Sequence, residues 1–182
     1  LGQGQYEPND YVYTPTNQNF PVPVTIASSD TNRVTVSPTV ANIPGGINYS
    51  YYTVSAKGLG TATITASSPG WTAANSMTVV STTPAVGICC GTTLFNTSPV
   101  SGVTVYAQDA ARTAHYRTNS LVVRLSSKDT TVMKVLDTMV TIGPGQYYNN
   151  SARVIPNGVG GTTYIVATAS GHVSDSTAYT VI

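Results

Sequence analysis

Short stretches of this chain alternate apolar and polar residues, a pattern typical of β-strands that bury one face. Apolar residues occupy every second position in Val22–Ile26 and again in Leu121–Leu125. No window repeats apolar residues at helical spacing over more than about one turn. The pattern therefore predicts an all-β chain with very little helix.

The chain contains an internal repeat with a period of about 100 residues. Residues 22–80 resemble residues 121–182 in the order of their apolar stretches and turn residues. Such a period is too long for a solenoid repeat and typical of one β-sandwich domain. We therefore expect two tandem domains, 1–81 and 82–182, each an antiparallel sandwich.

Each copy divides into short strands separated by turn residues. In the first copy we expect strands at 22–26, 34–36, 61–66 and 77–80, with a tyrosine-rich strand between the second and third. In the second copy the matching strands are 121–125, 133–135, 162–169 and 178–182, with a tyrosine-rich strand at the same place. Asp30 and Asp129 occupy a tight turn after the first strand of each copy, where an aspartate can bond backbone amides two residues on.

The second copy has an additional opening segment. DYVYTP, from Asp10, resembles VTVYAQD, from Val103, and this aligns the beginnings of the two copies. Upstream of Val103, residues 82–93 (TTPAVGICCGTT) predict a further strand bounded by turn residues. Because nothing in the first copy matches that segment, we expect the first sandwich to lack its N-terminal strand.

A sandwich without this strand exposes unpaired amides and carbonyls at the edge of a sheet. One explanation is that the strand lies in polypeptide outside this sequence, which makes the chain a segment of a longer protein. The other is that a neighbouring chain donates the strand. A first sheet completed by residues 1–82 alone would exclude both explanations.

The composition excludes several classes of protein. Only 8% of the residues are charged and the net charge is +1, so the surplus of Lys and Arg that nucleic-acid binding requires is absent. No stretch approaches the roughly 20 apolar residues of a membrane span, and we expect no membrane insertion. Serine and threonine hydroxyls in place of charges suit the surface of an extracellular β-protein.

Residues for catalysis or metal binding are scarce. Neither an HExxH nor a GxSxG motif occurs. A calcium site needs roughly six to eight oxygen ligands, but isolated aspartates are found at Asp30, Asp109, Asp129, Asp137 and Asp175. We therefore expect no enzyme, no cofactor and no metal site.

Tyrosine is the remaining candidate for function, with 12 copies against two Phe and one Trp. The candidate interaction surface comprises Tyr49, Tyr51, Tyr52, Tyr147, Tyr148 and Trp71. A tyrosine has an apolar face and a polar tip, which suits protein interfaces and sugar stacking. The alternative is that half of each tyrosine cluster faces its own core and that Trp71 packs within a loop.

Cys89 and Cys90 are adjacent, so the cross-sheet disulfide of many immunoglobulin domains is absent. Three states remain open for them: two unpaired thiols, a vicinal disulfide or an intermolecular bridge. A zinc site would need further ligands nearby, and none has the required spacing.

Taken in order, these motifs resemble bacterial immunoglobulin-like domains, the modules of invasin- and intimin-type surface proteins. The order is a hydrophobic strand, SSD, a Val-x-Val strand, an IPGG or IGPG turn, a GxG turn, and TITA or IVAT before a loop opened by glycine. The resemblance covers about 140 residues in two copies. It implies a two-sheet sandwich outside the cell, without a cofactor and usually without catalysis, and it assigns no functional residue.

Three functions are compatible with these features. The first is a non-catalytic, extracellular structural module pair, a spacer or assembly segment of a larger bacterial cell-surface protein. The second is a subunit of a polymeric filament, sheath or coat that is completed by strand donation. The third is an adhesin-type module that binds glycan or protein through its tyrosine-rich strands. Expected partners are neighbouring immunoglobulin-like domains or identical subunits.

Overall fold

The computed structural model describes residues 1–73 and 75–182, and this part of the chain contains no helix. None of the described residues therefore forms a helix that could cross a membrane. The chain divides into two compact units, Leu1–Thr82 and Thr83–Ile182. The predicted all-β class is confirmed.

The first unit consists of two sheets. Its strands are β1 (Gln5–Tyr13), β2 (Val22–Ser28), β3 (Val34–Ser37), β4 (Val40–Ile43), β5 (Tyr49–Ala56), β6 (Gly60–Ser67) and β7 (Met77–Ser81). One sheet places β5 between β1 and β3, and the other has the order β4, β2, β6, β7. The strands within each sheet pair antiparallel.

The second unit repeats this arrangement and extends it. Its strands are β8 (Ala85–Cys89), β9 (Thr93–Leu94), β10 (Ser101–Gln108), β11 (Tyr116–Arg117), β12 (Leu121–Ser127), β13 (Met133–Val135), β14 (Met139–Ile142), β15 (Tyr148–Pro156), β16 (Gly161–Thr168) and β17 (Asp175–Val181). One sheet has the order β8, β10, β15, β13, and the other has the order β14, β12, β16, β17, β9. Strand β9 pairs parallel with β17, whereas the other ladders are antiparallel.

Both units have the strand order of an immunoglobulin-like sandwich. Such a fold places strands A, B, E and D in one sheet and C, F and G in the other. In the second unit these are β8, β10, β15 and β13, and β12, β16 and β17. In both units the chain passes to the opposite sheet at each of the two short strands before the tyrosine-rich strand. These are β3 and β4 in the first unit and β13 and β14 in the second. The predicted pair of immunoglobulin-like sandwiches is confirmed.

Alternation along the strands builds a core in each unit. Strands β2 and β12 each bury their first, third and fifth residues and expose those between them. The second core also contains Tyr179, which is 0% exposed and whose hydroxyl donates a hydrogen bond to the Gly102 carbonyl at 3.5 Å. Because burial of apolar area is the main source of stability, this large side chain contributes strongly to the second core.

The first unit lacks a counterpart of β8. The Thr82 amide donates to the Leu1 carbonyl at 2.8 Å, as the Ile182 amide donates to the Leu94 carbonyl at 2.9 Å. Leu1 therefore occupies the place of Leu94, which follows β8 in the second unit. Within the described residues of the first unit, no strand lies where β8 lies in the second. The expected absence of the N-terminal strand is confirmed.

Candidate functional site

Four tyrosines face outward at one end of the sheet that contains β1 and β5. Tyr11 lies opposite Tyr51, and Tyr13 lies opposite Tyr49, in the antiparallel register of the two strands. Cross-strand neighbours on one face of a sheet are close enough for their rings to interact. We call these four residues the tyrosine face.

The tyrosine face is open to solvent and forms a shallow groove. The exposed fractions are 59% for Tyr11, 65% for Tyr13, 41% for Tyr49 and 54% for Tyr51. The ring centroids of Tyr49 and Tyr51 are 5.3 Å apart, and those of Tyr11 and Tyr13 are 6.1 Å apart. Together with Asn48 they line a volume of about 400 Å³.

The groove of the tyrosine face is polar only through hydroxyls and one amide, since no charged side chain lines it among the described residues. The nearby Tyr49 phenol, more than burial, raises the pKa of Tyr51. The Tyr51 hydroxyl therefore stays neutral at physiological pH and can both donate and accept hydrogen bonds. An uncharged aromatic groove of this kind can stack against a sugar ring or an apolar side chain.

Tyr52 belongs to the core and not to the interaction surface. It is 8% exposed and lies in the core of the first unit, because alternation along β5 turns Tyr49 and Tyr51 outward and Tyr52 inward. Burial, and then the charge of Asp10, raises the pKa of Tyr52. Burial and the neighbouring Glu7 likewise raise the pKa of Asp10. Including Tyr52 in the candidate surface was therefore wrong.

The second unit has a smaller aromatic cluster at the matching place. Tyr148 is 42% exposed and Tyr147 is half-buried, and their ring centroids are 5.0 Å apart. Tyr106 of β10 lies opposite Tyr148, as Tyr13 lies opposite Tyr49, so Tyr106 is the counterpart of Tyr13. Tyr106 is half-buried, and the second cluster is less open than the tyrosine face.

Trp71 is half-buried and packs against the core of the first unit. It lies in the loop between β6 and β7 and takes no part in the groove of the tyrosine face. Its position matches loop packing, the alternative to a platform for sugar stacking.

Cys89 and Cys90 lie at the end of β8. Their sulfur atoms are bonded to each other, the vicinal alternative of the three that the sequence leaves open. The Cys89 sulfur is also 3.7 Å from the Tyr106 hydroxyl. The pair therefore lies beside the aromatic cluster of the second unit.

Sequence reasoning did not include Tyr11 and Tyr13 among the candidate residues. The signal was present, since Tyr11 and Tyr13 occupy alternate positions, as do Tyr49 and Tyr51. Two such pairs on neighbouring antiparallel strands share a face when their register brings them opposite each other.

The described residues contain no group of three or more His, Cys, Asp or Glu side chains placed to hold a metal ion. The strand order and the tyrosine face together define a class of protein. It is a pair of immunoglobulin-like β-sandwiches, the first of which carries an exposed aromatic surface.

Solved structures of several proteins are similar to this chain in fold. The D0-D1 domain of intimin is 15% identical, over 92% of this chain and 86% of that one, with a TM-score of 0.38. Domains 4 and 5 of the S-layer protein SbsC are 16% identical, over 87% of this chain and 70% of that one, with a TM-score of 0.39. A glycosyl hydrolase family 2 member from Bacteroides cellulosilyticus is 10% identical, over 93% of this chain and 24% of that one, with a TM-score of 0.45. At these identities the likeness concerns the fold alone.

Neither a protein family nor a curated protein sequence matches the chain.

Proposed function

We propose that the chain is a non-catalytic, extracellular structural segment of a bacterial surface protein and that its second unit bears tension. One observation carries the proposal: the strands by which the chain enters and leaves the second unit run parallel and side by side. Ala85 bridges Val173 in parallel, and Thr93 and Leu94 of β9 pair in parallel with the end of β17. A pull on the two ends loads these hydrogen bonds together, in shear.

The first unit differs because it lacks a β8. Its entry point, Leu1, is bonded directly to its exit: the Leu1 amino group donates to the Val80 carbonyl at 3.2 Å, and the Thr82 amide donates to the Leu1 carbonyl. A pull on these ends also loads a parallel pairing, since Gly2 bridges Thr82 in parallel and the Gln3 amide donates to the Thr82 carbonyl. The first unit lacks the further parallel bridge that Ala85 of β8 makes with Val173 in the second unit, so fewer bonds share the load and the first unit resists less force.

Single-molecule force spectroscopy of the chain between end tags tests this proposal. We expect two unfolding events, with the weaker one releasing about 25–30 nm from the first unit and the stronger one about 30–35 nm from the second, as the lengths of an extended chain require. A chain that extends without force peaks, or a stronger event with the shorter release, would contradict the proposal.

The tyrosine face supports a second candidate function, the binding of glycan or protein. The observation that favours it is that four tyrosines with 41–65% exposure line one uncharged groove. Monomeric proteins rarely leave such aromatic clusters open to solvent without an interaction that uses them.

Replacing Tyr49 and Tyr51 together with serine is expected to weaken binding to a polysaccharide or host-protein ligand found in an array screen. Each stacked ring contributes about 1 kcal/mol or more, so the loss should be at least tenfold in affinity. The matched control is Tyr164→Ser, because Tyr164 is 50% exposed on β16 of the other unit. A ligand that binds the double variant and the wild type equally would exclude the tyrosine face as its site.

A further inference from the structure

An open groove lies beside the C-terminal end of β1 in the first unit, on the side away from β5. Tyr11–Pro15 line one side of this groove and residues 71–73 line the other, around a cavity of about 540 Å³. Val24 and Ile64 also line the cavity, and both belong to the core of the first unit. The groove therefore opens directly onto apolar core side chains.

The second unit is closed at the same place by β8. Residues Ala85–Cys89 of β8 pair antiparallel with Thr104–Gln108 of β10. Since Tyr106 is the counterpart of Tyr13, the five residues that β8 covers are the counterparts of Tyr11–Pro15. The groove thus lies where the first unit lacks the strand that the second unit has.

The backbone of β1 presents hydrogen-bonding groups to this groove. The Thr14 amide donates to the Asn48 carbonyl at 2.8 Å, on the side of β5. Because these groups alternate in direction along a strand, the amides and carbonyls of Tyr11 and Tyr13 point to the groove side. No strand of the described part of the first unit pairs with them there.

Strand β8 shows what chemistry such a groove accommodates. Val86 and Ile88 are 0% and 8% exposed and belong to the second core, so aliphatic side chains at alternate positions of β8 fill the space between the sheets. The amides of Val86 and Ile88 donate away from β10, to the Val173 carbonyl at 2.9 Å and the Asp175 carboxylate at 3.1 Å. The alternate backbone groups of β8 are therefore left to pair with β10.

We infer that the groove beside β1 is the docking site for an extended segment of a partner polypeptide that adds to the sheet as an antiparallel strand. The partner segment carries aliphatic residues at alternate positions, as β8 does at Val86 and Ile88. Its backbone pairs with Tyr11 and Tyr13, and its aliphatic side chains cover the open core. Edge pairing supplies affinity, and the groove supplies selectivity for aliphatic residues. This interaction is separate from the proposed tension-bearing role of the second unit.

A synthetic peptide with the sequence of residues 82–91, with serine in place of both cysteines, tests the inference on the full chain. In ¹H–¹⁵N NMR spectra we expect saturable shifts of the Tyr11 and Tyr13 amide signals and at least about tenfold slower hydrogen exchange of the Tyr13 amide. The matched control peptide carries V86D and I88D and should leave these signals unchanged, because it would place carboxylates against the core.

Three results would overturn the inference. One is the absence of shifts at about 1 mM peptide. Another is equal binding of the control peptide. The third is protection of the Tyr13 amide by self-association without peptide, which would make a second copy of the chain the occupant.

A covalent version removes any dependence on peptide affinity. A copy of residues 82–93, again with serine in place of cysteine, is placed directly before Leu1, since Leu1 has the position of Leu94. We expect the thermal midpoint followed by Trp71 fluorescence to rise by about 5 °C or more. The same extension with V86D and I88D should produce no rise, and equal midpoints for the two extensions would contradict docking in the groove.

Discussion

Replacing Tyr179 with alanine is expected to lower the free energy of unfolding of the second unit by about 3–5 kcal/mol. The side chain is 0% exposed and its hydroxyl donates to the Gly102 carbonyl. Alanine would leave a cavity in the core and remove the partner of that carbonyl. Urea unfolding followed by far-UV circular dichroism measures the loss, and Trp71 fluorescence reports separately on the first unit.

The matched control for this substitution is Tyr164→Ala. Tyr164 lies on β16, next to β17, but is 50% exposed. Its loss should cost less than about 1 kcal/mol. Equal losses of unfolding free energy in the two variants would contradict the placement of Tyr179 in the core and of Tyr164 on the solvent face.

Replacing Val86 with aspartate is expected to destabilise the second unit by more than about 3 kcal/mol at neutral pH. Val86 is 0% exposed and is the second residue of β8. An ionised carboxylate at this place would lose its hydration among the apolar side chains of the second core. The same urea titration measures the effect, and lowering the pH should recover part of the stability as the carboxyl is protonated.

Val122→Asp is the control for Val86→Asp. Val122 is 50% exposed on β12, so its replacement should change the free energy of unfolding by less than about 1 kcal/mol. If Val86→Asp were as mild as Val122→Asp, β8 would not be an integral strand of the second sandwich.

Strands with regular alternation were predictable from the sequence, and several short ones were not. Strands β2 and β12 alternate over their whole length, and the internal repeat supports both assignments. The sequence analysis predicted no strand at Val40–Ile43 or Met139–Ile142, which form β4 and β14. Four residues are too few to separate alternation from a turn, and these strands form only because β2 and β12 pair with them.

The candidate site was predictable in part. The direction of Tyr49 and Tyr51 follows from alternation along a single strand, and the same rule turns Tyr52 inward. Whether Tyr11 and Tyr13 join the tyrosine face depends on the register between β1 and β5, which are far apart in sequence. Local pattern does not determine such a register.

The absent strand also affects the exposure of the tyrosine face. Tyr13 is 65% exposed, whereas its counterpart Tyr106 is half-buried beside β8, with its hydroxyl 3.7 Å from the Cys89 sulfur. Docking of a strand against β1 would therefore reduce the exposure of Tyr13. A ligand of the tyrosine face and a docked strand would affect each other's binding.

Hydrogen exchange of two matched amides tests most directly whether the Tyr11–Tyr13 end of β1 is an open edge while β10 is closed by β8. The Tyr106 amide faces β8, and the Tyr13 amide occupies the same position of the first sandwich. In dilute solution the Tyr106 amide is expected to exchange at least about 100-fold more slowly than the Tyr13 amide. Equal protection of the two amides would contradict an open edge in the first unit.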